Sequence, residues 1–245
     1  MTYPWQFDES VQRGTDYGDE GNVTAYDELM LRLRDVEREA AEIAEAISLS
    51  PDAVIWEIGT GTGECALRLA RCCRHVFATD VSAPMLACAR RKADERKIAN
   101  VTFEIGGFRS GFQPDGQLDA VISQLALHHL PDFWKFQALG AISRRLRPHG
   151  RLYLRDVVFP SPIDDYDAFI NAAIQELRLS AGEEIATQAV RHFKEEFSTL
   201  DWILEGMMER NGLRILRKSR SGILTAYTCE SAGMPFSSAA ASFAK

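Results

Sequence analysis

The sequence predicts an α/β fold: a doubly wound, mostly parallel seven-stranded sheet closed by a C-terminal antiparallel hairpin. Three observations predict it. Short apolar runs alternate with helical stretches between residues 54 and 158. The first of these runs stops at a glycine-rich turn. Two further short strands lie near the C-terminus, about a Ser-Arg-Ser-Gly turn. Strands that alternate with helices pair in parallel, with helices on both faces. Right-handed crossovers then align the strand C-terminal ends along one edge, and ligands bind there where strand order reverses.

Composition sets the limits. The chain has 245 residues, 46% hydrophobic and 26% charged, which is ordinary globular usage. A chain of this length buries roughly 70–75% of its unfolded surface, so its core needs no covalent staples. Twenty-eight Lys and Arg against 35 Asp and Glu leave a net charge of −7. That lacks the basic footprint of a nucleic-acid binder, so no nucleic-acid partner is expected. The five cysteines are odd in number, with Cys72 and Cys73 adjacent and no C-x-x-C pair. This is neither a disulfide framework nor a zinc ribbon. Met1-Thr2-Tyr3-Pro4-Trp5 lacks the basic start and apolar run of a signal peptide. No stretch approaches the roughly 20 apolar residues of a membrane span. A cytoplasmic chain with no membrane partner is expected, as a monomer or homodimer.

The elements follow in order. Residues 1–24 are polar without a clear period. Leu29, Leu33, Val36, Ala40, Ile43 and Ile47 form one helical stripe that ends at Ser50-Pro51-Asp52. Val54–Ile58 reads as a buried strand, Cys65–Arg74 as a helix and His75–Thr79 as the second strand. Ser82 is placed to cap the next helix, with Pro84 in its first turn. Val101–Ile105 and Leu118–Ser123 are the third and fourth strands. A helix around Trp134–Leu146 follows. Pro148-His149-Gly150 turns the chain into a fifth strand, Arg151–Val158. Residues 163–197 read as a helical insert. Ser198 or Thr199 is a candidate cap for a helix that Asn211-Gly212 stops. Leu213–Lys218 and Ile223–Cys229 form the hairpin, and residues 231–245 a disordered tail.

The most informative stretch is Glu57-Ile58-Gly59-Thr60-Gly61-Thr62-Gly63. Glycine permits positive φ and close backbone approach to a ligand, and the helix that follows offers free N–H groups. A dinucleotide site wants G-x-G-x-x-G, yet the third glycine position holds Glu64. An acid there sits badly beside a pyrophosphate, and the Gly-Lys-Ser/Thr of a P-loop is absent. Asp80, at the end of the second strand, is placed to accept both hydroxyls of a ribose. Loop and acid together describe a nucleoside with a non-phosphate group beside it.

Taken with Leu118-Asp119-Ala120-Val121 and Leu146-Arg147-Pro148-His149-Gly150, these residues resemble class I S-adenosylmethionine-dependent methyltransferases over roughly residues 50–230. "Leu-His-His-Leu-Pro-Asp" at residues 127–132 resembles their small-molecule members, including those of quinone biosynthesis. The resemblance implies a Rossmann-like methyltransferase domain at 49–230, with the insert at 163–197. Residues 1–48 would be a cap segment and helix, and 231–245 the tail.

The resemblance also implies roles. Gly59, Thr60, Gly61 and Gly63 would lie along the methionine part of S-adenosylmethionine. Glu57 would order that loop near the amino group. Asp80 would hold the ribose, with Val81 and Met85 flanking adenine. Gly107 and Phe108 would offer backbone groups to the adenine edge, and Gln124 and Leu125 would lie near the sulfonium. The sequence departs from the family at Gly106-Gly107, where relatives often carry Gly-Asp with the acid accepting from the exocyclic amine of adenine.

Methyl transfer is an in-line displacement that chiefly needs alignment. Where the acceptor must lose a proton, histidine is the commonest base, so His129 and His128 are candidates. Two adjacent histidines do not by themselves make a metal site, and no metal is expected. Tyr17, Tyr26 and Met30 are candidates for an acceptor pocket. Phe169, Ile174, Leu177 and Phe193 of the insert either line that pocket or form the insert's own core. His192, beside Arg191 and Lys194, is read as lying on a solvated face, with an acidic acceptor as its alternative partner, and Glu195-Glu196-Phe197-Ser198-Thr199 as capping and packing. The expected activity is methyl transfer to a small molecule at O, N, S or C, releasing S-adenosylhomocysteine. Aminopropyl-type transfer and a non-catalytic cofactor-binding module remain alternatives, and Glu64 argues against a nicotinamide oxidoreductase.

Overall fold

The computed structural model describes residues 3–11, 21, 23, 26, 27, 29, 30 and 34–233. The described residues between 21 and 30 are helical. The predicted helix is interrupted at Arg34-Asp35, and α1 runs Val36–Ala46. Asp35 causes the restart, because its side chain accepts from Arg38 N at 3.0 Å and caps the new helix. Leu29, Val36, Ala40, Ile43 and Ile47 are all buried, so the stripe survives the break. Leu33 lies outside the described residues.

The sheet follows. The strands are β1 (Val54–Ile58), β2 (His75–Asp80), β3 (Val101–Ile105), β4 (Leu118–Gln124) and β5 (Leu146–Phe159), then β6 (Thr199–Leu200), β7 (Leu213–Ser221) and β8 (Leu224–Ser231). Their order is β3-β2-β1-β4-β5-β8-β7, with β6 beside β5. Strands β1 to β5 pair in parallel, and β8 and β7 are antiparallel. Strand order reverses at β1, between β2 and β4. Helices α2 (Glu64–Leu69), α3 (Ala83–Glu95) and α4 (Asp132–Arg145) cross between strands. The insert is a hairpin of α5 (Tyr166–Ala181) and α6 (Glu183–Glu195), and α7 is Asp201–Arg210.

The alternation of β1 divides the core in two. Ile55 joins Ile43, Leu67 and Leu86 of α1, α2 and α3 on one face. Trp56 and Ile58 join Leu139, Ile142, Leu204 and Met208 of α4 and α7 on the other. Trp56 is fully buried, and its Nε1 donates to Thr79 Oγ1 at 2.9 Å, which satisfies the one polar atom that burial strands.

Several boundaries differ from the sequence expectation. The helix expected over Cys65–Arg74 is shorter, Glu64–Leu69. Pro148-His149-Gly150 lies inside β5, where the ladder to β4 jumps from Leu118–Leu146 to Ala120–Arg151 and His149 takes φ 63°. The hairpin turn is Gly222-Ile223, because β7 stays paired as far as Ser221. Neither Ser198 nor Thr199 caps α7, whose N-cap is Leu200. Thr199 is drawn into β6, and its hydroxyl lies 3.1 Å from Asp132 Oδ2. Ser231 ends β8 rather than opening a tail, and residues 234–245 lie outside the described residues. Ser82 caps α3 as expected, through Met85 N at 3.2 Å. Among the described residues no helix is long and apolar enough to cross a membrane.

Candidate active site

A cavity of about 580 Å³ opens at the C-terminal ends of β1, β2, β4 and β5, within the range of small-molecule sites. The glycine turn forms its floor. Gly59, Gly61 and Gly63 all take positive φ. At Gly59 a Cβ would stand 2.5 Å from Ala126 Cβ, so the close approach of the β1 and β4 loops requires glycine there. Gly59 N and Thr60 N both donate to Thr79 O, pinning the turn to β2.

Asp80 reaches the cavity wall. Its Oδ2 accepts from Gly61 N and its Oδ1 from Ser82 N, each at 2.8 Å. Burial raises its pKa, opposed by these amides. Each oxygen keeps capacity to accept from a hydroxyl. Val81, Met85, Gly107, Phe108, Gln124 and Leu125 also line the cavity. Leu125 holds φ 53°, a strained conformation for a branched side chain. Its N–H donates to Arg155 O at 2.8 Å, which anchors it.

Glu57, Thr60 and Gly63 are not on the cavity wall. Glu57 stands behind the turn, accepting from Thr60 Oγ1 at 2.6 Å. Burial pushes its carboxyl up to about 7, against hydrogen bonds from Thr60 and Cys65. Glu64 also points away. Lys92, Arg96 and Arg68 pair with it and, despite burial, hold it well below the usual carboxylate range. Its charge therefore does not face the cavity, contrary to what its position alone implies.

Several wall residues carry no motif. Glu9 accepts from Phe108 N at 2.7 Å and Arg109 N at 2.9 Å. A Cβ on Gly107 would lie 2.5 Å from Glu9 Oε2. The space beside Gly107 is thus filled by a carboxylate from nearly 100 residues away. Residues 1–24 carry no period, so nothing local signals this. Arg34 and Arg155 also line the cavity and share Glu39, at 2.5 and 2.7 Å. Despite its burial, the two guanidiniums hold the Glu39 carboxyl below its ordinary range. Two cations against one anion leave the wall positive beside Gln124, whose Oε1 is 3.4 Å from Arg34 Nη2.

The far wall belongs to the insert. Leu177 and Phe193 line the cavity, whereas Phe169 and Ile174 do not. Tyr26 and Met30 line it too, and Tyr17 lies outside the described residues. His128 is buried with Nδ1 2.5 Å from Asp156 Oδ1 and Nε2 3.0 Å from Glu196 Oε2. Burial alone would lower its pKa, but the two carboxylates carry it up to about 9. His129 is pulled down to about 4 by burial and by His128. His192 is not on a solvated face. Its Nδ1 lies 2.5 Å from Glu196 Oε2 and its Nε2 2.7 Å from Ser198 Oγ. Glu196 does more than cap or pack, since it joins both rings at the cavity.

A glycine turn, a strand-end acid and a cavity at the reversal of a sheet ordered β3-β2-β1-β4-β5-β8-β7 define the class I methyltransferase architecture. A methyltransferase-domain family matches residues 55–150, from β1 into β5. An uncharacterised methyltransferase of Geobacillus kaustophilus is 30% identical over 78% of this chain and 81% of its own. A demethylmenaquinone methyltransferase of Thermus thermophilus is 38% identical over 44% of this chain and 48% of its own. The chain belongs to the methyltransferase family. Magnesium protoporphyrin IX methyltransferase from Synechocystis shares the fold at TM-score 0.60, 17% identity and 94% and 100% coverage of the two chains. The [4+2]-cyclase SpnF shares it at TM-score 0.60, 18% identity and 80% coverage of each. Fold alone therefore does not fix the chemistry.

Proposed function

We propose that this chain transfers a methyl group from S-adenosylmethionine to a small-molecule acceptor. The observation that carries this is one continuous cavity. It runs from the glycine turn, Asp80 and Val81 at one end to Leu177 and Phe193 of the insert at the other. The first end suits a nucleoside, with Asp80 on the ribose and Val81 and Met85 beside adenine. Arg34 and Arg155 suit the methionine carboxylate. Glu57 acts from behind, holding the turn through Thr60. Gln124 and Leu125 stand where the sulfonium would lie.

The acceptor enters against Tyr26, Met30, Leu177 and Phe193, an aromatic and aliphatic wall that favours a molecule with an apolar ring or chain. The demethylmenaquinone methyltransferase among the relatives supports that class of acceptor. Both ring nitrogens of His128 face carboxylates, so of the two candidates His129 is the one left to meet the acceptor. It is neutral at physiological pH. The protein's main contribution is alignment of nucleophile, methyl carbon and leaving sulfur.

Calorimetric titration of the chain with S-adenosylhomocysteine, and separately with NADH, tests the cofactor reading. The expected result is micromolar-range binding of the first, none of the second, and a large loss in Asp80→Ala. Binding of NADH alone would overturn the assignment.

A further inference from the structure

The wall beneath the insert carries a constellation that displacement at a sulfonium does not itself require. His128, His129 and Glu196 each bring one ligand-type atom to within 4.8 Å of the others, and all three face the cavity. Asp156 sits behind His128, 2.5 Å from Nδ1, which fixes the ring and turns Nε2 toward Glu196. Metal-binding imidazoles are held this way, with a carboxylate or other acceptor on the nitrogen opposite the metal. His192 repeats the pattern at the edge of the group, with Nε2 held at Ser198 and Nδ1 beside Glu196.

A second observation is independent of this spacing. The Glu196 side chain is only 8% exposed, and its Oε2 gathers two ring nitrogens, His192 Nδ1 at 2.5 Å and His128 Nε2 at 3.0 Å. One buried carboxylate oxygen thus already collects nitrogen donors of the kind a transition cation takes.

We propose that His128, His129 and Glu196 form a binding site for a divalent first-row transition cation, with His192 standing by as a further nitrogen donor. Two imidazoles and one carboxylate suit Zn²⁺, Fe²⁺ or Mn²⁺, whereas Mg²⁺ and Ca²⁺ prefer all-oxygen shells. Remaining coordination positions open into the cavity, so the acceptor binds through an oxygen lone pair. This consequence, unlike the site itself, rests on the methyltransferase reading. An acceptor hydroxyl held there gives its proton to water. Its oxygen forms the new bond to the methyl carbon, and the sulfur keeps the electron pair of the breaking C–S bond.

The full chain, stripped with EDTA, is titrated with Zn²⁺ by calorimetry and with Co²⁺ by visible absorption, and each protein is also titrated with S-adenosylhomocysteine. The expected result is one equivalent of Zn²⁺ and Co²⁺ bands that Zn²⁺ abolishes. Asp156→Asn, which changes the acceptor behind His128 that also takes the His128 and Val157 backbone N–H groups, weakens binding about 10–100-fold. His129→Ala and Glu196→Gln weaken it at least as much. Cys72→Ser, which removes the exposed thiol, leaves it unchanged. Retained S-adenosylhomocysteine binding shows that each variant is folded. Substoichiometric zinc on the wild type, or equal affinity in Glu196→Gln, overturns the site. A wild type that binds S-adenosylhomocysteine but not zinc overturns the metal alone, and the reverse overturns the cofactor reading alone.

Discussion

Glu57 shows how burial turns one residue into a pH-dependent part of the fold. Its carboxyl moves from 4.5 up to about 7 because it is buried behind the glycine turn. The folded state therefore keeps a proton that the unfolded chain releases above about 4.5. Stability from this group is full below that value and is lost as pH rises toward 7. The loss is on the order of 3 kcal/mol, because each tenfold change in proton affinity is worth about 1.36 kcal/mol. Glu57→Gln removes the titration, so the melting temperature of the cofactor-free variant should gain on the wild type between pH 5 and pH 8. Parallel melting curves across that range would sink the assignment. Glu9 is the other decisive residue, filling the space beside Gly107. On the proposed cofactor reading Glu9 stands beside the adenine edge, so with Glu9→Ala the S-adenosylhomocysteine affinity should fall about tenfold, roughly 1.4 kcal/mol. A tighter Kd would instead mean that Glu9 competes with the cofactor for the Phe108 and Arg109 amides.

At the scale of elements, caps and contacts decide where helices stop and how firmly they are held. Asp35 restarts the chain into α1, and Asp35→Ala should cost about 1 kcal/mol. For a chain of this size that is roughly 2–4 °C in Tm, read by calorimetry. The insert hairpin differs from the helices on the sheet. α5 has no buried residue, and Leu179 is 88% exposed. Elements with few buried contacts open locally at low free energy. The amides of α5 should therefore exchange with deuterium well before those of β1 and β4. Bound S-adenosylhomocysteine should protect the β1–α2 turn while leaving α5 fast. Equal protection of α5 and β1 in the free protein would show that the insert opens only with the core.

For the whole molecule, the sheet is the common floor of two hydrophobic layers, joined through β1. Trp56 is fully buried in one of them and hydrogen-bonded through Nε1. Trp56→Ala should cost about 3–5 kcal/mol in urea denaturation, the usual penalty for emptying so large a site. The doubly wound order, the closing hairpin, the glycine turn and Asp80 were all legible from the chain. Each depends on local chemistry: apolar runs of strand length, glycine at positive φ and an acid at a strand end. Glu64 shows the limit of such reasoning. Its identity was plain, and so was Arg68 four residues on in α2, but the Lys92 and Arg96 side chains that complete the cage are brought to it from α3 and its C-cap by the tertiary fold. In the sequence His192 was legible only as a surface or acceptor-facing residue and Glu196 only as part of a capping and packing stretch, because their meeting with His128 depends on how the insert folds back onto the sheet.

The sequence by itself determined the architecture and the nucleoside end of the cavity, because strand periodicity, turn chemistry and the spacing of Gly59, Gly61 and Asp80 operate within one βαβ unit. Only the tertiary structure decided what stands opposite. Glu9 meets Phe108, Arg34 meets Gln124, and Glu196 meets His128 across separations of 99, 90 and 68 residues. Such pairs leave no periodic trace in the chain. They are set by which elements the sheet order and the insert hairpin bring to the same edge, and by the burial that then forces each polar group to find a partner.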